Sequence, residues 1–302
     1  MKKYEIPFNF DIEYLNFLEK YIDKDWVEFI FLPAFKEDSS NARSHLEGVS
    51  KSWGTYKVPD TREEYEFYIK SIQKSGFKPG VLFQEENPIK DEILNYYLSL
   101  GIDTFVVNSD KLAKRIKSID KNYKVIASIT KTLSAKDLWE KDLSMYDKIV
   151  LHFPFNRALN KIKELPPFYK YSILVNSFCV YNCESAHEHW NSTPETSSKI
   201  HCMKSEHKEN LIYIPPEYLN LFEPYIDSFK IQGREYPTNI LTEEIFCFYK
   251  GLHSPFAGAI YNRLSPFNAL EYFNKGENMD FVNYNNPNSP FTDPQTPIPT
   301  PA

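Results

Sequence analysis

Short apolar runs alternate with amphipathic segments along most of the chain. Seven of these runs are rich in Val, Ile, Leu and Phe, and we predict a strand at each. They are EFIFLPA (28–34), GVLFQ (80–84), TFVVN (104–108), KVIASI (124–129), KIVLHF (148–153), YSILVNS (171–177) and SFKIQG (228–233). Since short strands that are apolar throughout are typically buried on both faces, the pattern favours a parallel sheet.

The segments between these runs mostly have helical periodicity and carry helix-end signals. Gly76 and Gly101 are expected to end two of the helices, and Asp110 and Ser134 to cap the two that follow. Strand and helix together repeat at roughly 24 residues over five units, which is typical of βα units around a parallel sheet.

Six such units and the strand at 28–34 approach the eight strands of a closed barrel. We therefore predict a TIM-type (β/α) barrel, which can be incomplete or distorted. A doubly wound open sheet is the alternative, because it has the same periodicity. We expect one catalytic domain over residues 1–286, followed by a Pro-rich extended tail over 287–302.

Composition places the chain among ordinary globular proteins. Charged residues make up 25% and hydrophobic residues 42% of 302 residues, and the net charge is −6, which argues against a general nucleic-acid binder. No apolar run reaches the roughly 20 residues that cross a bilayer, so we expect no membrane partner. The N-terminus lacks the apolar stretch of a signal peptide, and four cysteines do not make a disulfide scaffold. We expect a cytoplasmic protein with reduced thiols.

Soft metal ligands are concentrated just after the predicted strand at 171–177. The window 179–207 holds three of the four cysteines and four of the seven histidines. Cys179 and Cys183 follow the strand directly, and Cys202 returns after a largely polar excursion. Because both candidate architectures place their sites at the carboxyl ends of the strands, these ligands coincide with the expected active face.

Two metal centres fit this set of ligands. Cys179, Cys183 and Cys202, with Cys247 as the fourth thiolate, would complete the ligands of a 4Fe–4S cluster. Cys247 lies between two phenylalanines in a predicted helix, where a buried and inert cysteine is equally expected. Zinc held by the first three cysteines and one of three histidines is the alternative; these histidines are His187, His189 and His201.

Three stretches of the sequence resemble the collagenase-like peptidases, the unknown-mechanism peptidase family 32. They are VNSFCVYNCESAHEHWN (175–191), HCMKSEH (201–207) and YIPPEYLNLFEPYIDSFKIQGREYPTN (213–239), the last with a Lys-Ile-x-Gly-Arg motif. Asn156-Arg157 is similar to a helix start of that family. The resemblance covers roughly 75–255, but the chain is shorter than the full-length members, and Cys247 matches no motif position.

The resemblance implies a TIM-type barrel and, in several relatives, a four-iron cluster held by cysteines. Some relatives resemble oxygen-independent hydroxylases of RNA bases or quinone precursors that take the oxygen atom from prephenate, and others are classed as collagenases. Some members also act in pairs, so a protein partner is expected as well as a small-molecule or RNA substrate.

The leading hypothesis is an iron–sulfur-dependent modifying enzyme that performs oxygen-independent hydroxylation or related redox chemistry. Arg234 and Lys230 would hold a carboxylate of the substrate, and His189 would orient the substrate or transfer a proton. A metal-dependent peptidase is the second hypothesis, with Glu217 or Glu235 as base, although the chain has neither HExxH nor GxSxG. A zinc-stabilised binding module is the third.

Overall fold

The chain folds into a closed parallel barrel, which a computed structural model describes over residues 2–41, 58–87, 89–177, 179–181, 183, 185–192 and 211–252. Eight strands pair in sequence order, and the last pairs with the first. They are β1 (Lys3–Pro7), β2 (Val27–Pro33), β3 (Pro79–Phe83), β4 (Thr104–Val107), β5 (Lys124–Ala127), β6 (Lys148–Val150), β7 (Tyr171–Leu174) and β8 (Ser228–Lys230). The predicted TIM-type barrel is confirmed, and it is complete.

Helices surround the barrel between successive strands. Those in the described residues are α1 (Ile12–Tyr21), α2 (Arg62–Lys74), α3 (Asp91–Ser99), α4 (Asp110–Ile119), α5 (Ala135–Glu140), α6 (Leu159–Lys163), α7 (Ala186–Trp190) and α8 (Thr238–Lys250). Ser134 caps α5 as predicted, through a capping box with Asp137. The prediction for α4 was wrong by one residue, because the Ser109 hydroxyl, and not Asp110, accepts from a backbone N–H in the first turn.

The strand that completes the barrel is β1, which the apolar pattern did not indicate. Its sequence, KYEIP, contains Glu5, which is fully buried, and ends at a proline. A charged residue in the middle and a proline at the end hide the usual signal of a buried strand. The other strands end one to three residues earlier than predicted, because the last residues of each run belong to the loops at the mouth.

The barrel interior is filled by an apolar cluster and, beside it, a group of charged side chains. Six residues of β2 to β6 form the apolar cluster: Phe29, Phe31, Leu82, Val106, Ile126 and Val150. The larger core lies between the strands and the helices. Gly80 is required in β3, because a Cβ there would come within 2.6 Å of the Phe29 ring. The barrel centre is therefore a packed core, and a ligand can approach only from its ends.

The register of β1 and β2 shifts at Glu28. Tyr4 pairs with Val27 and Glu5 pairs with Phe29, so Glu28 has no partner on β1. Its carboxylate accepts from Lys124 and Lys148 instead. The irregularity thus supplies a second carboxylate to the charged group of the interior.

None of the helices that the structure describes is long and apolar enough to cross a bilayer. The predicted tail at 287–302 lies outside the described residues, and the boundary at 286 stays a prediction.

Candidate active site at the barrel mouth

A layer of polar side chains lies at the carboxyl ends of the strands. Alternation along each strand directs every second residue toward the barrel axis, and the inward position just beyond seven of the strands is polar. These residues are Asn9, Gln84, Asn108, Ser128, His152, Asn176 and Gln232. All but Gln232 are buried. The mouth therefore has a hydrogen-bonding floor above an apolar interior, which is the usual construction of a binding site in this fold.

The cysteine loop, residues 175–183, follows β7 directly. Cys179 donates its backbone N–H to Ser177 Oγ at 3.2 Å and accepts from the N–H of Ile212 at 2.9 Å. Cys183 closes a turn on Val180, and its carbonyl accepts from Ala186 at the start of α7. Both thiols are half-buried and free of disulfides. The two predicted ligands therefore lie on one short loop at the mouth.

An apolar wall lies behind these two thiols. It consists of Phe153, Ala186, Trp190 and Ile212, and both cysteines pack against it. Two unbridged, half-buried thiols on one turn, screened by aromatic rings, are a donor set that suits a thiolate-held metal centre. Cys202, the third predicted ligand, lies outside the described residues. No group of three metal ligands is found among the residues that the structure does describe.

Asn156 and Arg157 hold both ends of the excursion that carries the cysteines. Asn156 Nδ2 donates to the carbonyls of Leu174 and Ile212, and Arg157 Nη1 donates to Leu211. Both side chains are fully buried, and the Arg157 guanidinium lies 5.2 Å from the centre of the Tyr181 ring. These hydrogen bonds fix the chain just before and just after the cysteine-bearing segment to the loop after β6. The sequence did not indicate this role for either residue.

Cys247, the predicted fourth thiolate, lies elsewhere in the fold. It is buried on α8, nine residues beyond the start of the helix at the mouth, which corresponds to a descent of roughly 14 Å along the barrel. Burial and then the carboxylate of Glu244 raise the pKa of its thiol to about 11. This placement gives the fourth-ligand prediction no support, since a ligand must be close to the others and deprotonated.

The histidines near the mouth have different surroundings. His189, the predicted catalytic histidine, is half-buried on α7, and its carbonyl accepts from Ser192 Oγ. His187 Nδ1 lies 3.3 Å from both Thr132 Oγ1 and Asn191 Nδ2, and its Nε2 lies 3.7 Å from Glu86. His187 therefore contacts residues of two other loops of the mouth, Thr132 and Glu86.

His152 is buried in the floor of the mouth. Its ring lies 4.2 Å from that of Phe153 and 6.1 Å from that of Trp190. Burial, and then the proximity of His187, lowers the pKa of His152 to about 3. The imidazole is consequently neutral at physiological pH, with one ring nitrogen as donor and the other as acceptor.

Lys230, one of the two predicted carboxylate-binding cations, lies inside the barrel and already has a carboxylate partner. Its Nζ lies 3.5 Å from Glu5 Oε2 and 4.3 Å from the centre of the Phe31 ring. Burial and the charge of Arg234 lower the pKa of Lys230, against the opposite effect of Glu5. Arg234, the other predicted cation, is buried as well and lies close enough for its charge to act on Lys230.

Glu5 is the centre of this buried charged group. Its Oε1 accepts from Lys148 Nζ at 3.0 Å and from Ser228 Oγ at 2.9 Å. Burial by itself would raise the pKa of Glu5, but Lys148 and Lys230 outweigh it and lower the pKa to about 2. Three lysines therefore contact two carboxylates among the described residues; they are Lys124, Lys148 and Lys230, with Glu5 and Glu28.

A cleft of about 520 Å³ opens at the mouth beside the end of α7. Its walls come from the loops after β2 and β3 and from Asn191 at the end of α7. Asn41 Nδ2 donates to the carbonyl of Trp190, and Asn108 Nδ2 donates to Asn191 Oδ1, so both sides of the cleft are tied to α7. Asn108 stands at the end of a predicted strand, on the face where the site was expected, whereas Gln84 was missed; inward alternation beyond β3 is the signal that would have found it.

The comparisons with known proteins bear on the fold. The chain is similar to the solved structure of the U32 peptidase Mk0906, with a TM-score of 0.52 and 14% sequence identity. The matched region covers 78% of this chain and 95% of that one. No family model matches the chain, and a search of the curated proteins finds no match. At this identity the likeness shows the fold alone, and this fold agrees with the barrel that the resemblance in the sequence implies.

Proposed function

We propose that the chain is an enzyme that acts at the barrel mouth with a metal centre bound by Cys179 and Cys183. The observation that carries the proposal is the placement of two half-buried cysteines on one turn at the mouth, where both pack against the apolar wall. With Cys202 as a third thiolate, an iron–sulfur cluster is the centre that this set suits best, and zinc is the alternative. When bound, such a cluster would supply electron transfer for oxygen-independent hydroxylation or related redox chemistry of a small molecule or RNA.

The residues around the thiols would bind and orient the substrate. The charges of Arg234 and Lys230 would attract a carboxylate or another anion of the substrate. The planar guanidinium of Arg234 can bind both oxygens of a carboxylate, whereas Lys230 already pairs with Glu5. His189 is the candidate to hold or move a proton, because a pKa of about 3 makes His152 too weak a base at neutral pH.

Purification without oxygen tests the proposal. We expect a coloured protein with iron and acid-labile sulfide, and loss of both in the Cys179→Ser, Cys183→Ser and Cys202→Ser variants. Cys247→Ser is the matched control, which should keep its iron because Cys247 lies below the mouth on α8. A colourless, iron-free wild-type protein would contradict an iron–sulfur enzyme, and stoichiometric zinc in that protein would favour the zinc centre.

A peptidase is the second candidate, and the likeness to the U32 peptidase Mk0906 favours it. Glu217 and Glu235, the bases considered for this reaction, lie after β7 and β8, and Glu217 is exposed on a short 3-10 helix. Turnover of gelatin and short peptides, measured with and without a chelator, tests this candidate. Cleavage that survives purification to homogeneity and is lost in the Glu217→Gln or Glu235→Gln variant would support it.

A further inference from the structure

Two side chains that line the cleft each have one acceptor oxygen without a donor among the described residues. Gln84 is 6% exposed, and its Oε1 is buried with no hydrogen-bond partner among the described residues. Glu85 Oε2 is likewise buried without a partner, although Ser39 donates to Oε1 of the same carboxylate. Both residues line the cleft. A buried acceptor that lacks a donor is costly, so these two oxygens are suited to a ligand that brings N–H groups.

The charges around the cleft favour a cation as that ligand. Among the described residues, Glu37, Asp38, Glu85 and Glu86 line it, against one cation, Lys90. The Asp38 carboxylate is already neutralised, because Arg62 binds both of its oxygens and the Tyr97 hydroxyl donates to it. Glu85 has no such cation among the described residues. Glu85 therefore combines a carboxylate that no described cation neutralises with a buried oxygen, Oε2, that lacks a donor.

The walls that present Glu85 and Gln84 are held in place by contacts of their own. The Tyr97 hydroxyl accepts from the backbone N–H of Phe35 at 2.8 Å, which fixes the start of the loop after β2. The backbone carbonyl of Gln84 accepts from Asn108 Nδ2 at 3.1 Å, which fixes the loop after β3. A preformed site of this kind loses little entropy when a ligand binds.

We propose that this cleft binds the guanidinium or ammonium group of an organic cation, with Glu85 as the charged anchor and Gln84 as a neutral acceptor. The inference deepens the proposed function, since the cleft shares the mouth with the cysteine loop and would bind part of the substrate. Binding itself requires no metal centre. The two proposals can therefore fail separately.

Calorimetric titration of the full chain with two matched probes tests the inference. Acetyl-arginine amide carries a guanidinium, and acetyl-citrulline amide has nearly the same shape without the charge. We expect the arginine probe to bind at least tenfold more tightly at low salt, with the difference shrinking at high salt. Equal affinities, or no binding of either probe, would overturn the proposal whatever the iron content of the protein.

Variants then locate the site. Glu85→Gln removes the charge and keeps the shape, and we expect it to weaken the arginine probe about tenfold or more, the effect of losing one charge-assisted hydrogen bond. Gln84→Met should weaken both probes to a smaller and similar extent. Glu164→Gln, an exposed change beyond α6, is the control for net charge and should leave both affinities unchanged. Undiminished binding by a folded Glu85→Gln variant, or competition by a divalent cation at this residue, would overturn the assignment.

Discussion

Lys230 Nζ lies 3.5 Å from Glu5 Oε2, across the seam where β8 closes the barrel onto β1. Glu5 also holds Lys148 at 3.0 Å, so one buried carboxylate joins lysines of two other strands, β6 and β8. This contact ties the closing seam of the fold to the base of the mouth. The balance of charge there affects both the stability of the barrel and the binding of anions.

Removing the charge of Glu5 should therefore destabilise the folded protein strongly. We expect Glu5→Gln to lower the free energy of unfolding by about 3–5 kcal/mol, because it leaves two buried lysines without their shared carboxylate. Adding Lys230→Met to that variant should recover part of the loss, since one of the uncompensated cations is then gone. Urea unfolding of the two single variants and the double variant measures the coupling. Purely additive losses would contradict it, and Glu164→Gln should change stability by less than about 0.5 kcal/mol.

The buried His152 predicts a loss of stability in mild acid. Its folded pKa of about 3 lies below the ordinary value of 6.5, so the unfolded chain binds the additional proton. The contribution of His152 is present above pH 6.5 and is lost as the pH falls toward 3, by at most about 1.4 kcal/mol per pH unit. The folded protein lowers the pKa of Glu5 from 4.5 to about 2, so the stability that Glu5 contributes is lost mainly below pH 4.5. Between pH 6.5 and 5 the loss due to His152 therefore comes first. The unfolding free energy of His152→Gln, measured over this interval, should have a smaller slope; an unchanged slope would rule out His152 as the source.

Gly80 predicts a steric limit inside the barrel. A methyl group there would meet Cδ2 of Phe29 at 2.6 Å and the Thr104 side chain at 3.3 Å. We expect Gly80→Ala to destabilise the protein by about 1–3 kcal/mol, as is usual for an added methyl group in a packed core. Thermal unfolding measures the change. A matched variant at an open position is Gly251→Asn, where no atom lies within 4 Å and Asn tolerates the positive φ of 65°.

The contacts of Asn156 predict how firmly the cysteine loop is held. Asn156→Leu would leave the carbonyls of Leu174 and Ile212 without this donor, so we expect a loss of roughly 2–4 kcal/mol. The thiols of Cys179 and Cys183 should then react faster with iodoacetamide in the metal-free protein, because one anchor of their loop is gone. Mass spectrometry after timed alkylation measures this, and unchanged rates in a destabilised variant would show that Asn156 does not position the loop.

The thiols of the described residues should also differ in reactivity in the wild-type protein. Cys247 is buried and its pKa is raised to about 11, so little of the reactive thiolate is present at neutral pH. Cys179 and Cys183 are half-buried at the mouth and should be alkylated first in the metal-free protein. Peptide mapping gives the order of modification, and early labelling of Cys247 would contradict the position assigned to α8.

Much of the fold followed from local pattern, and the exceptions have identifiable causes. Seven strands were predicted because a strand that is buried on both faces has a continuous apolar run, which is visible in the local sequence. β1 was missed because Glu5 interrupts its pattern, and a buried carboxylate is possible only when distant lysines neutralise it. Neither Lys148 nor Lys230 is near Glu5 in the sequence.

The candidate site divides in the same way. Cys179, Cys183 and Arg234 were found because each immediately follows a strand and has distinctive chemistry. Gln84 and Asn176 carry ordinary side chains, and their place at the mouth depends on how eight strand ends meet. His187 was predicted only as an alternative zinc ligand, and its contacts with Thr132 and Glu86 depend on the tertiary structure. Cys247 shows the converse, since a cysteine with the right chemistry lies on the outer helix, where its thiol faces carboxylates.

The sequence by itself determined the repeated βα units of a parallel sheet, the face on which a site would lie and the concentration of thiols there, because these depend on alternation and spacing along the chain. The tertiary structure decided that the sheet closes into a barrel, which side chains share the mouth, which lysines compensate Glu5, and which acceptors at the cleft lack a donor. These depend on distances between residues far apart in the chain, and only closure of the barrel sets those distances.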